Sequence, residues 1–141
     1  MNTGFILNTT LQRKTILLAD DHPGALAQAE RLLSREHDIV GTVTNGLELL
    51  EAASRTDPDL IILDISMPAM DGLEAARRLK ADGCRSKLIF LTVWDDVDFL
   101  LEAMALGADG YVLKSSLASD LPTAVFEVLA EHKYVSPAMK K

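Results

Sequence analysis

Apolar and polar positions along this chain fall into alternating blocks of two kinds. TILLA at 15–19, LIILD at 60–64 and KLIFLT at 87–92 are short, continuous apolar runs. Runs of that length without alternation mark strands covered on both faces. DIVGTVT at 38–44 and GYVLK at 110–114 complete a set of five predicted strands. Between them the apolar period changes from two to three and four. Leu26, Ala29, Leu32 and Leu33 share one face of a helix predicted over 23–36. A second helix is predicted over 45–56 with Asn45 as its N-cap, and a third over 73–83, closed by Gly83. A fourth covers 95–106 and stops at Gly107; a fifth runs from near 120 to 133 with Pro122 in its first turn. The turn Asp57-Pro58-Asp59 precedes the third strand.

Five strand–helix units without an internal repeat predict one α/β domain. Right-handed crossovers give a parallel sheet between two helix layers, a three-layer doubly wound sandwich. The domain is expected over 15–137, after a loose tail at 1–14 and before a C-terminal end or linker start at 138–141. With 48% hydrophobic and 25% charged residues, a chain of 141 residues carries enough apolar mass for one core. A net charge of -7 and no basic patch argue against nucleic-acid binding by this chain itself. Cys84 is the single cysteine, which excludes an internal disulfide and a cysteine metal cluster and fits a reducing compartment. Residues 1–14 hold only the short apolar patch Phe5-Ile6-Leu7, not a signal peptide, and no apolar run has the length of a membrane span. A cytoplasmic location is expected.

In doubly wound sheets the functional crevice lies beyond the carboxyl ends of the strands. The first strand ends in Asp20-Asp21, the third in Asp64, the fourth in Thr92 and the fifth in Lys114. At a separation of ~4 Å and an effective dielectric of ~20, each pair of carboxylates costs on the order of 4 kcal/mol. Lys114 offsets one charge, and a divalent cation is the natural remedy for the rest. An all-oxygen site with few protein ligands suits Mg²⁺ or Mn²⁺. A cation, a lysine and a hydroxyl around a free carboxylate form a receptacle for a phosphoryl group, with Asp64 attacking phosphorus in line.

The stretches LLADDHP, LIILDISMPAMDG, LIFLTVWDD and GADGYVLKSS together resemble the receiver domain of two-component response regulators over 15–137. DDHP, LDISMPAMDG, GYVLK and the closing YVSP are most similar to receivers of the NarL/FixJ type. The resemblance implies a flavodoxin-like, five-stranded parallel sheet in the order 2-1-3-4-5 with five helices. It implies that Asp64 accepts a phosphoryl group from a sensor histidine kinase. Asp21 would ligate the metal directly and Asp20 mostly through water, with Asp64 and the backbone carbonyl of Ser66 completing the set. Thr92 and Tyr111 match the switch pair, and Lys114 the phosphoryl-binding lysine. The face of the fourth helix, fifth strand and fifth helix would then change for a partner. Catalysis would be limited to the domain's own phosphorylation and dephosphorylation. In NarL/FixJ proteins a linker and a DNA-binding helix-turn-helix follow, so control of transcription is implied through a domain outside this chain. Two departures stand out: Ala69 replaces a usual glycine, and Ser115 replaces a proline often preceded by a cis bond.

Ser66 and Trp94 lie two residues beyond Asp64 and Thr92, where they would flank the path of hydrolytic water; Trp94 is expected to shield the phosphoryl group. In the fourth helix Val97, Leu100, Leu101 and Met104 are expected to face inward and Phe99 and Leu106 outward. In the fifth, Leu121, Val125, Val128 and His132 form the inward stripe and leave Phe126 to the side. Phe99, Leu106 and Phe126, with Tyr111, are the expected surface for a partner or a second subunit. His22 reads as a loop residue, Cys84 as a loop or packing residue, and Met67, Met70 and Met104 as packing. Rival readings are an aspartate-nucleophile phosphatase, which lacks its second Asp because Ser66 stands there, and a flavin binder, whose anion cradle DDHPGA does not provide. A stand-alone receiver and a phosphorylation-independent binding module are the remaining alternatives.

Overall fold

The computed structural model describes residues 12–140, so most of the expected tail, 1–11, and Lys141 lie outside the described residues. The strands are β1 (Thr15–Ala19), β2 (Asp38–Val43), β3 (Leu60–Leu63), β4 (Lys87–Thr92), β5 (Gly110–Leu113) and β6 (Tyr134–Val135). The helices are α1 (Pro23–Leu33), α2 (Gly46–Thr56), α3 (Gly72–Ala81), α4 (Val97–Ala105) and α5 (Leu117–Leu129). Every strand pairing is parallel and the order is β2-β1-β3-β4-β5-β6.

The continuous apolar strands are explained by two cores. Leu17, Ile61, Leu63, Leu88, Phe90 and Tyr111 pack toward α2, α3 and α4. Their strand neighbours Ile16, Leu18, Leu60, Ile62, Ile89 and Val112 pack toward α1 and α5. Successive side chains leave a strand on opposite faces, so covering both faces requires an apolar residue at every position. Each fully buried leucine or isoleucine contributes roughly 1.5–3 kcal/mol. The expected N-cap is present: Asn45 accepts the Glu48 amide at 2.9 Å. Gly46 is required by close packing, because a Cβ there would sit 2.2 Å from the Met70 carbonyl oxygen.

The expectation of five strands in the order 2-1-3-4-5 is corrected by β6, which extends the sheet beyond β5 with Tyr111 opposite Val135. Two residues are too short to show a period. The fifth helix also ends four residues before 133, and Glu131, at φ 71, turns the chain back into the sheet. Ser136 holds β6 in place. Its buried hydroxyl donates to Asp120 Oδ2 at 2.8 Å and accepts the Leu113 amide at 3.0 Å. Ser136→Ala leaves that amide unpaired and is expected to cost about 1–3 kcal/mol, read from the denaturant midpoint.

Other differences are local. A 3₁₀ turn at Lys114–Ser116 leads into α5, which starts at Leu117, so Pro122 lies inside the helix and not in its first turn. His132 lies beyond the helix and is exposed, whereas Leu121, Val125 and Val128 are buried as expected. Helix α1 stops at Leu33 rather than 36. The inward stripe of α4 is also corrected: Val97 is 55% and Leu101 60% exposed, while Phe99 and Leu106 are partly buried against the core. In so short a helix, apolar on nearly every side, periodicity does not select a face. Phe126 is 69% exposed and Tyr111 fully buried, so Tyr111 is not part of an exposed surface. No peptide bond among the described residues is cis, and Lys114–Ser115 is therefore trans. Among the described residues no helix is long and apolar enough to cross a membrane.

Candidate functional site

Parallel pairing brings the ends of β1, β3 and β5 to one edge of the sheet. Asp20 follows β1 and anchors its amide on the Val43 carbonyl, and Asp64 follows β3 and anchors its amide on Ala19, both at 3.0 Å. Both side chains are buried, at 5% and 2% exposure, whereas Asp21 is 38% exposed. Lys114 enters from the end of β5. Its Nζ donates to Asp64 Oδ2 at 2.9 Å and to Asp20 Oδ1 at 3.1 Å. Asp64 Oδ1 accepts the Ile65 amide at 2.7 Å and, more weakly, the Ser66 amide at 3.4 Å. One oxygen of Asp64 is thus held by backbone, and the other faces the lysine.

Burial pulls the Lys114 pKa down, but hydrogen bonds to Asp20 and Asp64 and their charges outweigh it, leaving it above the usual lysine value. The ammonium persists. It still leaves three carboxylates against one cation. Asp20 Oδ2 is buried and without a hydrogen bond; Lys114 Nζ lies 2.9 Å away but outside hydrogen-bonding alignment. The Lys114 ammonium offsets part of the cost of burying this oxygen, and a further positive charge would complete its shell. Ligand atoms of Asp20, Asp21, His22 and Asp64 all fall within 4.8 Å of one another. The donor set and the orphaned oxygen fit a small divalent cation.

A second group of residues borders the nest. Thr92, fully buried at the end of β4, accepts the Trp94 amide on Oγ1 at 3.3 Å. The Trp94 indole N–H donates to Ser66 Oγ at 2.9 Å, bridging the β3–α3 and β4–α4 loops, and its ring packs against Phe99 at a tilt of 31° with centroids 5.2 Å apart. Tyr111 donates its hydroxyl to the Trp94 carbonyl at 2.7 Å. Burial first, then the charges of Asp96, Asp64 and Asp95, push the phenol well above its ordinary range and keep it a donor. Leu106 and Phe126 do not join this constellation. Ala69 lies in the β3–α3 loop at φ 69, a left-handed conformation that accounts for the glycine usually expected there.

Sequence reasoning did not place His22 in the nest, yet its Nδ1 lies 3.0 Å from Lys114 Nζ. Its position directly after the Asp20-Asp21 pair was the available signal. The Asp120–Ser136 link was also missed, for its partners are 16 residues apart and carry no motif.

Comparison with known proteins agrees with this geometry. The family model described as the response regulator receiver domain matches residues 16–126. The nitrate/nitrite response regulator protein NarL of Escherichia coli K12 is 37% identical over 127 residues, covering 89% of this chain and 59% of that protein. The transcriptional regulatory protein DesR of Bacillus subtilis is 34% identical, covering 89% of this chain and 63% of its own length. The chain therefore spans about three-fifths of the length of these relatives. Among solved structures, a LuxR-family two-component response regulator from Aurantimonas superposes with a TM-score of 0.86 at 29% identity, covering 92% of this chain and 94% of that one. The isolated REC domain of RcsB from Salmonella enterica, solved with the phosphomimetic BeF3-, gives 0.85 at 25% identity, covering 92% and 97%. An acidic nest at the carboxyl edge of a parallel sheet, a lysine reaching into it and a match over most of the chain lead to one assignment: this chain belongs to the response regulator receiver domains, of the NarL/LuxR kind.

Proposed function

We propose that Asp64 is the phospho-acceptor of this domain and that a sensor histidine kinase is its donor. The carrying observation is the pair of buried carboxylates, Asp64 and Asp20, that share the single ammonium of Lys114 while Asp20 Oδ2 is left without a hydrogen bond. Asp64 Oδ1 is occupied by the Ile65 amide, so Oδ2 is the oxygen that attacks. An O–P bond forms to Oδ2 as the P–N bond of a phosphohistidine breaks, and the leaving imidazole nitrogen takes a proton. Lys114 transfers its hydrogen bond from Asp64 Oδ2 to a phosphoryl oxygen, and the Thr92 hydroxyl turns to donate to another. Mg²⁺ or Mn²⁺, held by Asp20, Asp21, Asp64 and the Ser66 carbonyl, would supply the remaining positive charge for the phosphoryl oxygens.

The switch follows from the same contacts. Movement of Thr92 toward the phosphoryl group disturbs Trp94, and Tyr111 is bonded to the Trp94 carbonyl. The α4–β5–α5 face, with Val97, Leu101 and Phe126 exposed, is then the surface read by a partner or second copy. The domain occupies 15–137 of a cytoplasmic regulator that controls transcription through a DNA-binding part, with 138–141 as its C-terminal end or the start of a linker. Incubation with acetyl phosphate and Mg²⁺ tests the assignment. One phosphoryl mass should appear, mapped to the peptide carrying Asp64; no adduct, or an adduct elsewhere, would overturn it.

The Trp94 indole is tied to Ser66, two residues beyond Asp64. Trp94→Ala is expected to raise the dephosphorylation rate several-fold, followed as decay of the phosphorylated mass. An unchanged rate would remove Trp94 from any shielding role.

A further inference from the structure

We propose that His22 is a nitrogen ligand of the cation site and biases that site toward Mn²⁺, Co²⁺ and Ni²⁺ relative to Mg²⁺. This rests on reading the acidic nest as a divalent-cation site and adds a donor that the carboxylates do not supply.

The imidazole Nδ1 lies 3.4 Å from Asp20 Oδ1, 3.7 Å from Asp21 Oδ1 and 3.9 Å from Asp64 Oδ2. Around a six-coordinate ion with bonds of about 2.1 Å, adjacent ligand atoms are about 3 Å apart. The nitrogen is therefore already close to the spacing of a ligand shell. Its nearest neighbour is Lys114 Nζ at 3.0 Å. An ammonium only donates, so in this contact Nδ1 is the acceptor and faces Lys114 Nζ. A ring nitrogen that accepts a hydrogen bond is one that can bind a metal ion, which would replace this contact with Lys114.

The backbone keeps the ring at this spot. The His22 amide donates to Asp20 Oδ1 at 2.9 Å, and its carbonyl accepts the Leu26 amide at 3.0 Å as α1 begins. The side chain itself is 61% exposed, so it can rotate toward an ion without disturbing the core. A separate observation is that Asp20 Oδ2 is buried and makes no hydrogen bond, with the Lys114 ammonium 2.9 Å away, so it has room in its shell for a further positive charge. Mg²⁺ is a hard ion that gains little from imidazole, whereas affinity for nitrogen donors rises from Mn²⁺ through Co²⁺ to Ni²⁺. A nitrogen in an otherwise all-oxygen nest shifts selectivity in that order.

Pulsed electron paramagnetic resonance of the Mn²⁺-loaded chain tests this directly. Modulation from a directly bound nitrogen should appear and vanish in His22→Gln. In Mn²⁺ titrations with Mg²⁺ as competitor, the Mn²⁺-over-Mg²⁺ preference should fall at least about tenfold in that variant. Because the ring is exposed, the thermal midpoint of metal-free His22→Gln should match that of the wild type. Bound Mn²⁺ that is lost in Asp21→Asn but shows no nitrogen modulation would overturn the role of His22 and leave the cation site standing. Failure of Mn²⁺ and Mg²⁺ to bind at all would overturn both.

Discussion

Asp64→Ala is expected to take up no phosphoryl group from acetyl phosphate, and Lys114→Ala to take it up at least about a hundredfold more slowly. The first variant lacks the accepting oxygen. The second keeps that oxygen but loses the cation that orients it and neutralises the incoming charge. Loss of Lys114 has a structural consequence as well, since the Asp20 and Asp64 side chains are 5% and 2% exposed and share its ammonium. Removing one partner from a buried ion pair costs about 3–5 kcal/mol. The variant should therefore unfold at lower denaturant, and Mg²⁺ should restore part of the loss by binding the folded state. Because the folded pKa of Lys114 lies above its ordinary value of 10.5, its contribution to stability is complete below that pH. The contribution disappears only as pH rises through the raised folded value, so the gap between wild type and variant should be constant across neutral pH. A Lys114→Ala protein with wild-type uptake and wild-type stability would contradict the charge balance derived for the nest.

Gly72→Ala is expected to destabilise the fold by more than about 3 kcal/mol and to depress phosphoryl uptake with it. A Cβ at Gly72 would lie 1.9 Å from the Asp64 carbonyl oxygen and 2.8 Å from its carbonyl carbon. Both atoms are backbone, and no rotamer change relieves the clash. The chain must shift at Asp64 itself, so stability and acceptor geometry fail together. Gly83 is the contrasting case, with open space around it but φ +82. There Gly83→Ala meets conformational strain alone, about 1–2 kcal/mol, and is expected to leave uptake unchanged. Denaturant midpoints and phosphoryl uptake of the two variants separate these effects. Near-equal stability of Gly72→Ala and wild type would show that the loop after Asp64 is looser than this packing requires.

Sequence by itself determined five of the six strands and most of the nest. Continuous apolar runs identify strands covered on both faces, and in a parallel sheet the residues that end such strands share one edge. Asp20, Asp21, Asp64 and Lys114 are therefore gathered by topology whatever their separation along the chain. Tertiary structure alone decided what depends on packing between elements. β6 is two residues long and joins the sheet because Ser136 is bonded to Leu113 and Asp120. Helix α4 has apolar residues on nearly every side, and only its docking determined that Phe99 and Leu106 turn inward while Val97 and Leu101 face solvent. His22 enters the nest, and Trp94 bridges to Ser66, through contacts between loops that share no period. Local patterns record the repeated geometry of a strand or helix; contacts between separate elements arise from long-range packing and leave no comparable period in the chain.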